Sequence, residues 1–201
     1  MSIVKFLGRF LPTLFFIFNF MHADVVLKND LINKEAENKI KQIGDELFEK
    51  TGINLHIYAV NSIEKISILD KEKEISSQLK SPFIVLFLTK NEHKIDIFSS
   101  KEISKLFDKE QVLSPYPYNG TILPILTSKN NKDVYSAALL NGYSDIAEQV
   151  AKNKNITLEN AIGNSNKNTL NILRYFIYGS IIFVILIIVS RNLKDKYVKP
   201  E

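Results

Sequence analysis

The chain has 201 residues, 45% apolar and 24% charged, with a formal net charge of +4. It contains neither Cys nor Trp, which excludes disulfide cross-links, thiolate catalysis, cysteine-ligated zinc and covalent c-type haem. The positive charge sits at the ends: residues 24–166 hold 18 Lys against 20 acidic residues, a net of −2, so the part long enough to fold as one domain offers no electrostatic footprint for nucleic acid.

Lys5 and Arg9 precede an apolar run over 10–20, FLPTLFFIFNF, and Met21-His22-Ala23 ends in a small residue. A basic start, a short apolar centre and a small residue at the exit form a secretion signal, with cleavage expected after Ala23. The rival reading is an uncleaved anchor. A short edge strand is expected over 25–27. Asn33 then stands as an N-cap, with Glu35 and Glu37 in the first turn, where the helix dipole favours acids. Ala36, Ile40, Ile43, Leu47 and Phe48 recur at helical spacing, and Gly52 closes the helix.

Residues 53–60, INLHIYAV, alternate as a strand. Residues 62–79 predict a second helix, whose run Lys71-Glu72-Lys73-Glu74 reads as a solvated face. Next comes SPFIVLFLTKNEHKIDIFS, the centre of the domain. Its run over 83–89, FIVLFLT, suits a strand buried on both faces. A polar turn over 90–93 leads to the alternating strand KIDIF over 94–98. Strand–helix–strand implies a right-handed crossover and a parallel pair, and the hairpin adds an antiparallel neighbour, so the sheet is mixed.

A capping box from Ser99 to Glu102 predicts a short helix through Phe107. Residues 114–120, SPYPYNG, form a loop with two prolines and an Asn-Gly pair. Pro124 argues against a central strand over 121–126. Residues 133–153 form the longest helix ahead of the C-terminal apolar run, capped by Asp133. Asn141-Gly142-Tyr143 interrupts it, with Gly142 a candidate for close packing. The Asn-rich segment over 155–170 reads as a linker, with one helical turn over 157–162.

The stretch from Tyr175 to Ser190 is uncharged and apolar, bracketed by Arg174 and Arg191. With Leu170, Ile172 and Leu173 extending it, residues 171–191 are read as one transmembrane helix. Residues 192–201, with Lys194, Lys196 and Lys199, agree with a cytoplasmic tail under the positive-inside tendency. The expected topology is a single pass through a bacterial inner membrane, with the domain facing the periplasm.

The helix ending at Thr51-Gly52, the strand INLHIYAV, the helix over 62–79, the hairpin FIVLFLTKNEHKIDIF and the helix after Pro124 resemble the TPM domain family. Many members share the layout of signal peptide, domain and one membrane span. The resemblance implies an α/β fold over residues 24–154, with a mixed sheet of about four strands and helices on both faces, plus one C-terminal transmembrane helix. Most members carry a Trp before the central strand and a glycine-rich segment after the hairpin. Here there is no Trp, and residues 99–103 read SSKEI. Some members are described as metal-dependent phosphatases or calcium binders.

Calcium or another divalent cation needs clustered oxygen ligands. The loop-end candidates are Asp30, Asp108, Asp133 and Asp145, with Glu110 nearby. Asp133 is equally explained as an N-cap, and Asp145 as a charge on an exposed helix face. His56 and His93 read as surface residues. There is no nucleophile elbow, phosphate loop or zinc-protease motif. Tyr116, Tyr118 and Asn119 on the proline loop, with Tyr143, form the candidate interaction surface. The leading expectation is therefore a membrane-anchored binding or assembly partner of another envelope protein. The alternative is a divalent-metal-dependent phosphatase of the TPM type.

Overall fold

The computed structural model describes residues 24–64, 66–128, 133–163 and 165–197, with the side chains of the last helix placed over 175–191. The expected secretion signal over residues 1–23 and residues 198–201 lie outside the described residues. The elements in order are β1 (Val26–Asn29), α1 (Lys34–Thr51), β2 (Asn54–Val60), α2 (Ile68–Gln78), β3 (Phe83–Thr89) and β4 (Lys94–Ser99). After a 3-10 turn (Lys101–Ile103) come α3 (Lys109–Val112), α4 (Leu123–Leu126), α5 (Val134–Asn153) and α6 (Ser165–Tyr197).

The sheet runs β1-β2-β3-β4. β1, β2 and β3 are parallel, and β4 pairs antiparallel with β3. Every residue of β3 is buried, as its unbroken apolar run predicts. Leu55, Ile57, Ala59, Leu86 and Ile97 face a core built with Ile40, Ile43 and Leu47 of α1 and Leu139, Tyr143, Ile146 and Val150 of α5. Tyr58, Val60, Val85 and Phe87 point the other way, under α2 and its flanks. The crossovers through α1 and α2 shift the chain in the same direction across the sheet yet cover opposite faces, so they have opposite hands. One of them departs from the right-handed rule.

Asn33 caps α1 by accepting the Ala36 N–H at 2.8 Å, and Gly52 ends it in the left-handed region at φ 71°. Asp133 caps α5 through the Ser136 N–H at 3.1 Å. The two caps also hold each other: Asn33 Nδ2 donates to Asp133 at 2.7 Å, and the Asn33 N–H donates to Ser136 Oγ at 2.8 Å. The two longest helices of the domain are thereby pinned at their N-termini. α5 runs unbroken through Asn141-Gly142-Tyr143, and Gly142 leaves the space in which Ile122 packs, since a Cβ there would collide with it.

Two expected starts move. The helix expected from Ser62 begins at Ile68, capped by Ser67. Ser62 Oγ donates to Glu92 of the hairpin turn, the Ile63 N–H donates to the same oxygen at 3.3 Å, and Glu64 takes a positive φ of 59°. Tertiary bonds thus take the residues that helical spacing would have wound. The Ser99 capping box is not formed. Ser100 precedes the 3-10 turn, and its hydroxyl accepts the Phe83 N–H at 3.2 Å instead.

Residues 156–163 form no helical turn and lie strapped against α1 and α5. Glu46 accepts the N–H groups of Glu159 and Asn160 at 2.6 and 2.7 Å, and Ser144 Oγ accepts that of Ile162 at 2.8 Å. Ile156 and Leu158 pack on the main core. α6 follows almost at once. Among the described residues, no helix is long and apolar enough to cross a membrane.

Candidate functional site

The proline loop is built on a polar pedestal. Gln111 of α3 donates from Nε2 to the Asn119 carbonyl at 3.1 Å and to Asp145 at 3.2 Å. Gln149 of α5 donates to Asp145 and to Gln111 Oε1, each at 3.2 Å, and its own Oε1 accepts the Asp108 N–H at 2.8 Å. Above this, the loop closes on itself: the Gly120 N–H reaches the Tyr116 carbonyl at 2.7 Å, and the Thr121 N–H reaches the Val112 carbonyl at 3.2 Å. Gly120 lies so close to the Ser114 carbonyl that no side chain could stand there. Pro115 and Pro117 remove further freedom.

On this support Tyr116 and Tyr118 stack with ring centroids 5.5 Å apart and planes 20° from parallel. They are 58% and 64% exposed. Two rings ordered before any partner arrives lose little freedom on binding, and each joins an apolar body to a hydroxyl. Asn119 is half-buried beside them. Tyr143 is not part of this surface. It is fully buried, and its hydroxyl donates to the Leu55 carbonyl at 2.6 Å, fastening α5 to β2. Burial raises its pKa well above the usual value.

Of the four carboxylates proposed for a cation, Asp108 and Asp145 share Gln111 and Gln149 as partners, while Asp30 and Asp133 have partners of their own. Asp30 accepts the Asn61 N–H at 3.2 Å. Asp108 caps α3 through the Gln111 N–H at 2.9 Å, and Asp133 caps α5. The Ser136 hydroxyl lowers the pKa of Asp133, with further help from the Ser136 N–H and Asn33 against a counteracting burial. Asp145 is buried in the pedestal rather than exposed on its helix. Among the described residues, no three acids or histidines gather closely enough to hold a metal ion. His56 is also buried rather than on the surface, with Nδ1 2.7 Å from the Asp24 carbonyl, and burial lowers its pKa.

A different cluster is hidden in the sequence. Glu72 of α2 lies against Asp96 of β4, and Lys109 of α3 approaches Asp96 at 2.5 Å. Burial first, then the Asp96 charge and a hydrogen bond to it, push the Glu72 carboxyl up to about 7 against the opposing pull of Lys109. The KEKE run conceals this because four alternating charges look solvated. The available signal is spacing: Ile68, Glu72, Ile75 and Leu79 fall on one helical stripe, so Glu72 has to face the sheet.

No protein-family model matches the sequence, and no curated protein matches it. Among solved structures, the chain is similar to the NMR structure of the BA42 protein from the psychrophilic bacterium Bizionia argentinensis sp. nov. That similarity has 13% identity and a TM-score of 0.45, covering 68% of this chain and 96% of that one.

Proposed function

We propose that this chain is a single-span protein of a bacterial inner membrane, whose TPM-like domain faces the periplasm and docks another envelope protein through its tyrosine loop. The observation that carries the reading is α6. All its placed side chains, Tyr175–Arg191, are exposed, including Phe183 at 65% and Leu186 at 60%. So apolar a helix, uncovered by the other described residues, is costly in water and stable in lipid. Its uncharged run Tyr175–Ser190 rises about 24 Å, short of a hydrocarbon core of about 30 Å, and Leu170, Ile172 and Leu173 lengthen the apolar stretch. The signal pattern at the N-terminus supports export of the domain behind it.

The stacked, exposed Tyr116 and Tyr118 support a docking role, since a pre-ordered aromatic pair suits recognition and carries no reacting group. The test is chemical crosslinking in membranes followed by capture of the full chain, compared with a Tyr116→Ala/Tyr118→Ala variant. A specific partner recovered with the parent chain and reduced at least about fivefold with the variant is the expected result. Undiminished recovery, or recovery with α6 alone, overturns it. So does calcium-, magnesium- or manganese-dependent phosphomonoester hydrolysis that is lost on changing Asp30 or Asp108. Membrane residence is checked separately by resistance to alkaline extraction.

A further inference from the structure

We infer that Glu72, Asp96 and Lys109 form a proton-dependent latch holding α2 over its face of the sheet, and that loss of the proton shared by the two carboxyls releases the helix. Glu72 Oε1 is buried and meets no hydrogen-bond donor, and Asp96 stands opposite Phe87 on the face of the sheet that α2 covers, where its carboxyl faces that of Glu72. Two ionised carboxylates present only acceptors to each other, so this contact is attractive only with a proton between them. Asp96 already has the two available donors. Its Oδ1 accepts the Ile97 N–H at 2.8 Å and pairs with the Lys109 ammonium at 2.5 Å. Glu72 Oε1 has no such donor, so the shared proton resides on Glu72. Desolvation and the adjoining Asp96 place its release near neutral pH.

Among the described residues, neither the other charged groups of α2 nor Lys109 replaces this proton. On α2 itself, Lys71 is turned to Glu74 at 2.8 Å and over the Tyr58 ring of β2, and Lys73 to Asp70 at 3.9 Å. β3 contributes only the Phe87 ring at the position paired with Asp96. Lys109 comes from α3, an element of the opposite layer, and reaches Asp96 around the edge strand, where its charge favours ionised Glu72.

The latch matters because α2 is otherwise lightly held, with Ile68 and Leu79 only partly buried against the same cluster. Ile75 is its only buried side chain, and Leu69 is 68% exposed. Beneath it lie the stacked rings of Tyr58 and Phe87, 5.3 Å apart, with Phe98 tilted beside them at 6.3 Å. The other layer keeps the sheet folded through α1 and α5. Opening of α2 would thus expose an aromatic surface on a domain that otherwise remains intact.

The sign follows from the raised pKa. Protonation favours the closed state fully below the ordinary carboxyl range, and this contribution is lost as pH rises to about 7. The experiment is amide hydrogen exchange on the full chain in detergent micelles, from pH about 5.5 to about 8.5, corrected for intrinsic rates. In the parent chain, protection of the α2 amides should fall at least about tenfold across this range, while β3 protection holds. Glu72→Gln keeps a donor toward Asp96 and should abolish the fall. Lys109→Met removes the charge that favours ionisation and should move the midpoint to higher pH. Protection of α2 that is flat with pH in the parent, or that falls equally in Glu72→Gln, overturns the latch. If Glu72→Gln does not fold, a Lys109→Met midpoint unchanged or moved downward overturns it instead.

Discussion

Glu46 is a nearly buried acid with three donors around it: Lys50 Nζ at 2.7 Å and the N–H groups of Glu159 and Asn160. Burial raises its pKa, but the three hydrogen bonds outweigh burial and bring it down to about 2. The folded state therefore holds the charged form more strongly than the unfolded chain does. That stabilisation is complete above the ordinary value of 4.5 and is lost as pH falls toward 2. Glu46→Gln should cost about 1–3 kcal/mol at neutral pH, because an amide nitrogen replaces one accepting oxygen. It should also flatten the acid limb of the stability curve. Urea denaturation from neutral pH down to about 2.5 reads both effects. An acid limb unchanged by the substitution would place the responsible carboxyl elsewhere.

Among the elements, the contacts of α5 with α1 and with the residue before α4 are set by what Gly44 and Gly142 leave out. A methyl at Gly44 would overlap Tyr143 Oη and approach the two Val25 methyls at 2.8 and 2.9 Å. A methyl at Gly142 would overlap the outer atoms of Ile122. Both substitutions gain up to about 1 kcal/mol of helix propensity, so the packing term decides the sign. Ile122 can turn its side chain, whereas Tyr143 is fixed by its bond to the Leu55 carbonyl. Gly44→Ala should therefore destabilise by about 1–3 kcal/mol, and Gly142→Ala by clearly less, in thermal or urea melts. Equal losses would mean that Tyr143 yields as readily as Ile122. The elements themselves were largely legible. Asn33 and Gly52 marked α1, and the apolar run and its turn marked β3 and β4. The start of α2 was not, because Ser62 and Ile63 bond to Glu92, a partner 30 residues away in the case of Ser62. Tyr143 and Asp145 were misplaced for a related reason. Nearly all of α5 from Gly142 to Ala151 is buried, since α1, α4 and the strap cover it together, and helical periodicity alone shows only one covered side. For the candidate site, the Tyr116 and Tyr118 loop is legible from its prolines, while the pedestal beneath it depends on bonds from α3 and its cap to α5 between residues 34, 38 and 41 apart in sequence.

At the scale of the whole molecule, the domain extends beyond its last sheet-layer helix. Composition puts the boundary near residue 154, where Asn and Lys become frequent, but the core continues to residue 163. Ile156 and Leu158 pack against it, Lys50 donates to the Thr157 carbonyl at 3.0 Å, and Glu148 accepts the Gly163 N–H at 2.9 Å. Two half-buried aliphatic side chains contribute about 1 kcal/mol each, and the charge-assisted bonds at Glu46 add about as much again. A chain comprising residues 24–154 should therefore be about 2–4 kcal/mol less stable than one comprising residues 24–163. The loss should appear as a lower urea midpoint with nearly the same slope, because the strap adds little to the surface exposed on unfolding. Adding Glu46→Gln to both chains separates the two contributions. It should cost the longer chain its strap bonds and the shorter chain almost nothing. If the shorter chain suffers equally, Glu46 acts through Lys50 and α1 alone, and the strap is a passenger. If only the longer chain suffers, the segment leading into α6 is part of the folded domain.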